Sequence, residues 1–296
     1  MSEQPFDPDV YTKAGVITKS YYRDVYPAIN PTRPDLSQIG KVTIVTGAGR
    51  GIGVGIATAH AISGVRGLVL VGRSLDSLQK VKQAIVADHP RVDVLTVAAD
   101  VSDERSINQL FATVKEKFGT VDTLVNNAGV ITTPVDSVGK VSTEVWWNDF
   151  NVNVKGTFLV CAAFLRLTSE SPVTKPSIIN VVSNISLSLP SLSSYFSSKA
   201  ALMKLTEVLQ VENPGLAAYT INPGLVHTDA TLDAFTPYAK DTPALVGSVT
   251  VYLSASQPGH LRGRHLCVNW DVEELEARKE EIESSNLLTL GLALPH

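Results

Sequence analysis

A glycine-punctuated turn between a strand-like run and a helix-like run constrains this chain more than any other feature. Lys41 to Val45 is largely β-branched and apolar. Thr46-Gly47-Ala48-Gly49-Arg50-Gly51-Ile52-Gly53 follows, and an apolar helical pattern opens at Ile52. Glycines at such a turn let the backbone double back tightly. They also let a dinucleotide pyrophosphate approach the helix N-terminus, where unpaired N–H groups and the helix dipole favour negative charge. The segment predicts a nucleotide site at the first strand-to-helix turn of an α/β domain.

The rest of the chain agrees with that prediction. Strand-like runs at 42–46, 68–72, 92–98, 123–126, 178–182, 218–222 and 265–269 alternate with helical patterns at 52–63, 75–88, 103–118, 143–167, 194–212 and 243–255. Strict alternation of this kind predicts an α/β Rossmann fold, a doubly wound seven-stranded parallel sheet with helices on both faces. Right-handed crossovers then gather the carboxyl ends of all strands on one edge, where ligands bind. Residues 1–40 carry five prolines and four tyrosines without a sustained period. They read as an extended arm lying on the domain surface. Residues 41–270 make the nucleotide-binding catalytic domain and 271–296 a C-terminal tail. In that tail Asp271 and Glu274 suit a helix cap, and 272–282 read as one charged surface helix that covers a neighbouring surface, with a partner subunit as one option.

Composition narrows the function. A chain of 296 residues with 44% apolar content can bury one full α/β core, and a net charge of −4 gives no basic footprint for nucleic acid. The two cysteines, Cys161 and Cys267, fit no metal or redox spacing, so no metal is expected and a reducing compartment is. The first ten residues lack a basic segment followed by an apolar one, and the apolar runs are strand-sized or interrupted by charge. The expectation is a cytoplasmic protein with no membrane span.

Tyr195 and Lys199 are four residues apart, so a helix places both side chains on one face. A phenol titrates at about pH 10 in water and is a poor proton donor or acceptor at neutral pH. A neighbouring ammonium, together with an oxidised nicotinamide, favours phenolate and is expected to lower that value. Hydride delivery to a carbonyl carbon needs a proton at the resulting alkoxide, and Tyr195 can supply it. Cofactor choice is read at the end of the second strand, where an NAD site places a carboxylate for the ribose 2′-hydroxyl. This chain has Gly72-Arg73-Ser74 there. Arg73 and Ser74 suit a 2′-phosphate, Arg50 can supply a second positive charge, and NADP(H) is the expected cofactor.

Four elements in register, namely the glycine loop, Asn126-Asn127-Ala128-Gly129, Tyr195-Phe196-Ser197-Ser198-Lys199 and Asn222-Pro223-Gly224, resemble the short-chain dehydrogenase/reductase family in its single-domain form. The resemblance covers roughly residues 40 to 270. It implies that Tyr195 is the general acid/base, that Lys199 also holds the nicotinamide ribose, and that Ser183 polarises the substrate carbonyl, with Ser186 as the alternative. The Ser183-to-Tyr195 spacing is one residue shorter than the family's usual pattern. Asn153 matches the asparagine that completes the proton relay by binding a water beside Lys199, with Asn151 as the other candidate by type. Gly47, Arg50, Gly51, Ile52 and Gly53 would hold the pyrophosphate, and Asp100 with Val101 the adenine. Asn127, Ala128 and Gly129 would line the adenosine ribose, and Val226 with Thr228 the carboxamide. Hydride from the pro-S face follows from the same resemblance.

The stretch from Thr228 to Pro243 reads as a lid. With Leu232, Phe235, Pro237 and Tyr238 in it, and Leu187, Leu189, Pro190 and Leu192 before Tyr195, it predicts a bulky, weakly charged small-molecule ketone or alcohol as substrate. The proline-rich arm and the Asn269-Trp270-Asp271-Val272 ending resemble fungal short-chain reductases of secondary metabolism. The resemblance also implies a homo-oligomer paired through helices 143–167 and 194–212. Two rivals keep the nucleotide but not net redox chemistry: an epimerase, dehydratase or cyclase on the same fold, and a non-catalytic NADP(H)-binding regulator.

Overall fold

The computed structural model describes residues 6–291 apart from Pro134, Pro172, Ser186, Leu187 and Ala230, so the alternatives at Ser186 and Leu187 lie outside the described residues. Seven strands form one sheet: β1 (Val42–Thr46), β2 (Gly67–Gly72), β3 (Asp93–Ala98), β4 (Thr123–Asn126), β5 (Ser177–Val181), β6 (Ala217–Asn222) and β7 (His265–Cys267). Their order is β3-β2-β1-β4-β5-β6-β7, and every neighbouring pair is parallel. The chain therefore changes direction across the sheet between β1 and β4, opening a crevice beyond their carboxyl ends. The last strand is two residues shorter than the sequence pattern suggests, because Trp270 and its neighbours turn to meet the arm.

The helices are α1 (Val10–Ala14), α2 (Ile52–Ile62), α3 (Leu75–Asp88), α4 (Glu104–Phe118), α5 (Thr143–Asp149), α6 (Thr157–Glu170), α7 (Ser193–Glu212), α8 (Pro243–Ser256), α9 (Val272–Ala277) and α10 (Lys279–Ser284). Alternate strand residues face opposite cores, as the strand period requires. Val45 and Leu70 join α2, α3 and α8 on one face, while Ile44 and Val71 join α4 and α6 on the other. Helices α2 and α8 touch backbone to backbone. A Cβ on Gly55 would lie 2.3 Å from Pro243 O, so only glycine allows that approach.

One expectation is corrected on α5–α6. The helix runs on from Thr143 to Glu170, but its middle turn, Phe150–Gly156, is π-helical rather than α-helical. By length and composition alone that helix could cross a membrane. Its residues Val160, Cys161, Phe164 and Leu167 are instead buried in the core beside the sheet.

The arm is not simply extended. It contains α1 and two 3-10 turns, Pro27–Ile29 and Pro34–Leu36, and it is stitched to the far end of the chain. Trp270 Nε1 donates to Gly15 O at 2.8 Å, and Tyr26 Oη donates to Trp270 O at 3.1 Å. Tyr22 and Tyr26 stack at 3.7 Å between ring centres. The tail is likewise corrected: two short helices meet at Arg278 in place of one. Asp271 caps the first through the Glu273 and Glu274 amides, while the Glu274 carboxylate accepts from Lys19 N and Ser20 N of the arm. The surface this tail covers therefore belongs to its own chain. Past α10, Leu288 O takes the His265 N–H of the edge strand at 2.8 Å, occupying a group that would otherwise be open to strand pairing.

Candidate active site

The glycine loop closes tightly because its neighbours leave no room for side chains. Gly47 and Gly51 adopt positive φ of 65° and 54°, which L-residues with a Cβ rarely tolerate. A Cβ on Gly53 would lie 2.1 Å from Gly47 O. The loop is braced from β4: Thr46 Oγ1 accepts from the Asn127 and Ala128 amides, each at 3.0 Å, and Asn127 Nδ2 donates to Thr46 O at 3.0 Å. The N-terminus of α2 is thus held facing the crevice, with Ile52 among the residues that line it. This is a backbone cradle that suits a pyrophosphate.

Along the crevice, Arg73 and Ser74 are exposed at the end of β2. Ser74 caps α3, its Oγ accepting from Ser77 N and Ser77 Oγ, which leaves the Ser74 hydroxyl proton free to donate. Arg50 pairs with Asp229 Oδ2 at 2.8 Å, both side chains well exposed, and so spans from the glycine loop to the lid while lining the same cavity as Arg73 and Ser74. Opposite charges across an open crevice find one another when no anion competes for the guanidinium. Asp100 folds into a turn, accepting from Ser102 N and Oγ, and those bonds, chiefly the hydroxyl's, hold its carboxyl below the usual range. Val101 is buried against Gly156, and Val226 is buried while Thr228 touches Gly51.

Four side chains gather where β5 ends and α7 begins. Ser183 and Tyr195 face the same cavity, and the serine hydroxyl is near enough to draw the phenol's pKa down. In the loop between them Ser191 adopts a left-handed φ of 69°, a strain worth roughly 1–3 kcal/mol. Lys199 is buried, donates to Val181 O at 3.1 Å, and sits 5.7 Å from the centre of the Tyr195 ring. The expectation that Lys199 lowers the Tyr195 pKa is not met. Burial pushes the phenol up, outweighing the opposing effect of the Ser183 hydroxyl. Burial also pushes the Lys199 ammonium down to about 8, so each group loses to desolvation before either can help the other.

Asn153 lies inside the π-helical turn and is fully buried. Its Oδ1 accepts from Val130 N at 2.9 Å, and its Nδ2 donates to Val130 O at 3.0 Å and Ser198 Oγ at 3.0 Å. The side chain thus joins the segment after β4 to α7, and its Oδ1, which takes one of the two bonds an amide oxygen can accept, keeps room for a second donor. Asn151 is exposed. Gly129 passes between the two groups: a Cβ there would lie 3.1 Å from Lys199 Nζ and 3.2 Å from Asn153 Oδ1.

Sequence reasoning missed Asp149. It is buried, its Oδ1 accepting from Thr132 N at 2.9 Å and Thr132 Oγ1 at 2.6 Å. Its one advance signal was a carboxylate set among Trp146, Trp147 and Phe150 in an otherwise apolar run. Arg23 was missed too. Nothing local marks it, yet it pairs with the buried Asp241 at 2.8 Å. The glycine loop, Arg73, Asp100, Ser183, Tyr195, Lys199 and the lid residues Leu232 and Phe235 all line one cavity of about 820 Å³. A dinucleotide lying across the strand ends and a substrate beneath the lid fit that arrangement, the glycine cradle meeting the phosphates and the hydroxyl pair facing the reacting end.

The family model described as short chain dehydrogenase matches residues 41–238. Short chain dehydrogenase andI of Emericella variicolor is 35% identical over 93% of this chain and 95% of its own length. Short chain dehydrogenase mpl6 of Monascus purpureus is 37% identical over 92% and 95%. Among solved structures, a short chain dehydrogenase from Pseudomonas syringae superposes with a TM-score of 0.73 at 29% identity, covering 80% of this chain and 98% of its own. A short-chain alcohol dehydrogenase from Sinorhizobium meliloti gives 0.71 at 25%, covering 80% and 97%.

Proposed function

Because this chain belongs to the short-chain dehydrogenase/reductase family of oxidoreductases, we propose that it is an NADP(H)-dependent enzyme interconverting a carbonyl and an alcohol on a bulky apolar substrate. The observation that carries the reading is that Ser183 and Tyr195 line one cavity with buried Lys199 and the glycine loop. The nicotinamide supplies or accepts the hydride when bound. The α2 N-terminus and the glycine loop hold the pyrophosphate, Arg73 and Ser74 the 2′-phosphate, and Asp100 with Val101 the adenine. Asn127, Ala128 and Gly129 line the ribose, Lys199 holds the nicotinamide ribose, and Val226 with Thr228 flank the carboxamide.

Ser183 donates to the substrate oxygen and Tyr195 Oη delivers its proton to that same oxygen as charge develops there. A phenol whose pKa is pushed up by burial keeps its proton at neutral pH, as the donor role in carbonyl reduction requires. Asn153 fixes Val130 and Ser198 around Lys199, a positioning role beside its place in the relay. The fungal relatives support a place in secondary metabolism, and the exposed Trp147 and Phe158 support a homo-oligomer. The test is fluorescence titration with NADPH and NADH, followed by NADPH turnover against ketones. Selective NADPH binding with turnover abolished in Tyr195→Phe is expected. Substrate conversion without nucleotide consumption would replace this reading with a non-redox one.

A further inference from the structure

We propose that the arm, through Tyr11 and the backbone to Gly15, is the outer wall of the substrate pocket and selects planar aromatic carbonyl compounds over small aliphatic ones. The carbonyl in that statement rests on the reductase reading; the wall itself does not. Tyr11, Thr12 and Gly15 line the same cavity as Ser183 and Tyr195. A Cβ on Gly15 would lie 3.4 Å from Asn184 Nδ2, so the arm reaches to within one residue of the serine that faces the reacting carbonyl.

The wall is aromatic where it meets the lid. Tyr11 packs edge-on against Phe235, with 5.4 Å between ring centres, and against Tyr238 at 4.8 Å. Phe6 covers Tyr238 from outside at 5.4 Å. Phe235 and Phe196 line the cavity itself. A flat ring entering between these groups meets faces and edges that suit offset or edge-to-face contact. The charged groups nearby are committed elsewhere: Arg50 holds Asp229, and Arg23 holds Asp9 and Asp241. The slot therefore suits a neutral ligand.

The wall is also fixed in place. Arg23 Nη2 donates to Tyr238 O of the lid at 2.7 Å, and its other nitrogens reach Asp9 of the arm and Asp241. Asp241 in turn accepts from Leu225 N, past the end of β6, at 2.5 Å and from Asn269 Nδ2, past β7, at 2.8 Å. One guanidinium thus joins arm, lid and pocket floor. The family model begins at residue 41, so the arm's half of this wall lies outside the stretch that it matches.

The experiment is isothermal titration of the NADP⁺-loaded protein, and of the protein alone, with 2-acetonaphthone and with cyclohexanone. The native protein is expected to bind 2-acetonaphthone at least tenfold more tightly. Tyr11→Ala is expected to lower that affinity ratio about tenfold, the scale of a lost aromatic contact, while Tyr11→Phe preserves it. An equal loss for both ketones, an unchanged ratio in Tyr11→Ala, or no preference in the native protein would overturn the proposal. Ketone binding with the expected ratio but no NADPH oxidation would leave the wall standing and remove the reductase reading.

Discussion

Ser194 Oγ donates to Asp149 Oδ2 at 2.6 Å, so a buried carboxylate grips the residue immediately before Tyr195. Its other oxygen holds Thr132, and the pair of grips fixes the start of α7 against the segment after β4. The negative charge raises the pKa of both Tyr195 and Lys199. Asp149→Asn removes the charge with little change of shape. Both groups should then release their protons at lower pH, moving the pH–rate profile of Tyr195-dependent turnover to the acid side. Asp149→Ala also strands the Thr132 and Ser194 donors, at about 1–3 kcal/mol of stability. Steady-state rates from pH 5 to 10 check this. A profile that stays in place while Asp149→Asn lowers the melting temperature would reduce Asp149 to scaffolding.

Cofactor choice can be reversed at one residue. A Cβ on Gly72 would meet Leu78 Cδ2 at 3.4 Å, ordinary contact, and its backbone is not left-handed. Gly72→Asp therefore fits, and it places a carboxylate at the strand end where a 2′-hydroxyl would sit and a 2′-phosphate would be repelled. NADPH affinity should fall by about 10- to 100-fold, the range for a lost charge-assisted bond, and NADH affinity should rise. Arg73→Ala should lose NADPH affinity without gaining NADH. Competitive fluorescence titration measures both.

Lys199 is a stability cost. Its folded-state pKa of about 8 lies below the ordinary 10.5. Between those values the unfolded chain binds more protons than the folded one, so stability rises with pH through that window and the cost is full below about pH 8. The difference corresponds to roughly 3 kcal/mol. Lys199→Met should raise the melting temperature at pH 7, with the gain shrinking by pH 10, while turnover is lost. Thermal unfolding of both proteins at the two pH values tests it; a destabilised variant at pH 7 would show that the bond to Val181 O outweighs desolvation.

Trp147 and Phe158 remain 56% and 53% exposed and line one surface groove on α5–α6. Val211, 80% exposed, lies further along on α7. Exposed aromatics gathered this way mark association surfaces. The protein should sediment as an oligomer, and Trp147→Glu with Phe158→Glu should dissociate it, weakening association by about 2 kcal/mol or more per side chain. A monomer in the native protein at micromolar concentration would refute the assignment.

The sheet, its cofactor loop and the Tyr195–Lys199 pair were legible because each is encoded locally. Glycine sterics, strand and helix periods and an i,i+4 spacing are all readable within a few residues. Asn153 was legible as a residue out of place in a helix, but not in its bonding, because the π-helical turn that buries it depends on how α6 meets α7. The pKa of Tyr195 was misjudged since a spacing shows a neighbouring charge and hides the loss of water. Arg50 was assigned to the phosphate by position alone, and its Asp229 partner lies 179 residues away. The arm was read as lying on the surface because many of its contacts are with the lid and the last elements of the chain, and no local pattern encodes those.

That distance has a consequence for the order of assembly. Gly15 is held by Trp270 across 255 residues of chain, and Lys19 by Glu274 across the same span. Closing so long a loop is an entropic burden that later contacts must first make worthwhile. During synthesis the arm emerges well before its landing sites exist, and the stretch from Gly15 to Ser20 cannot seat until β7 and α9 have folded. Strands β1 to β6 and the glycine loop can form before then, but the pocket's outer wall cannot be fully fixed. Specificity is thus the last property this chain acquires as it folds, and the first it loses if residues 270–278 come loose.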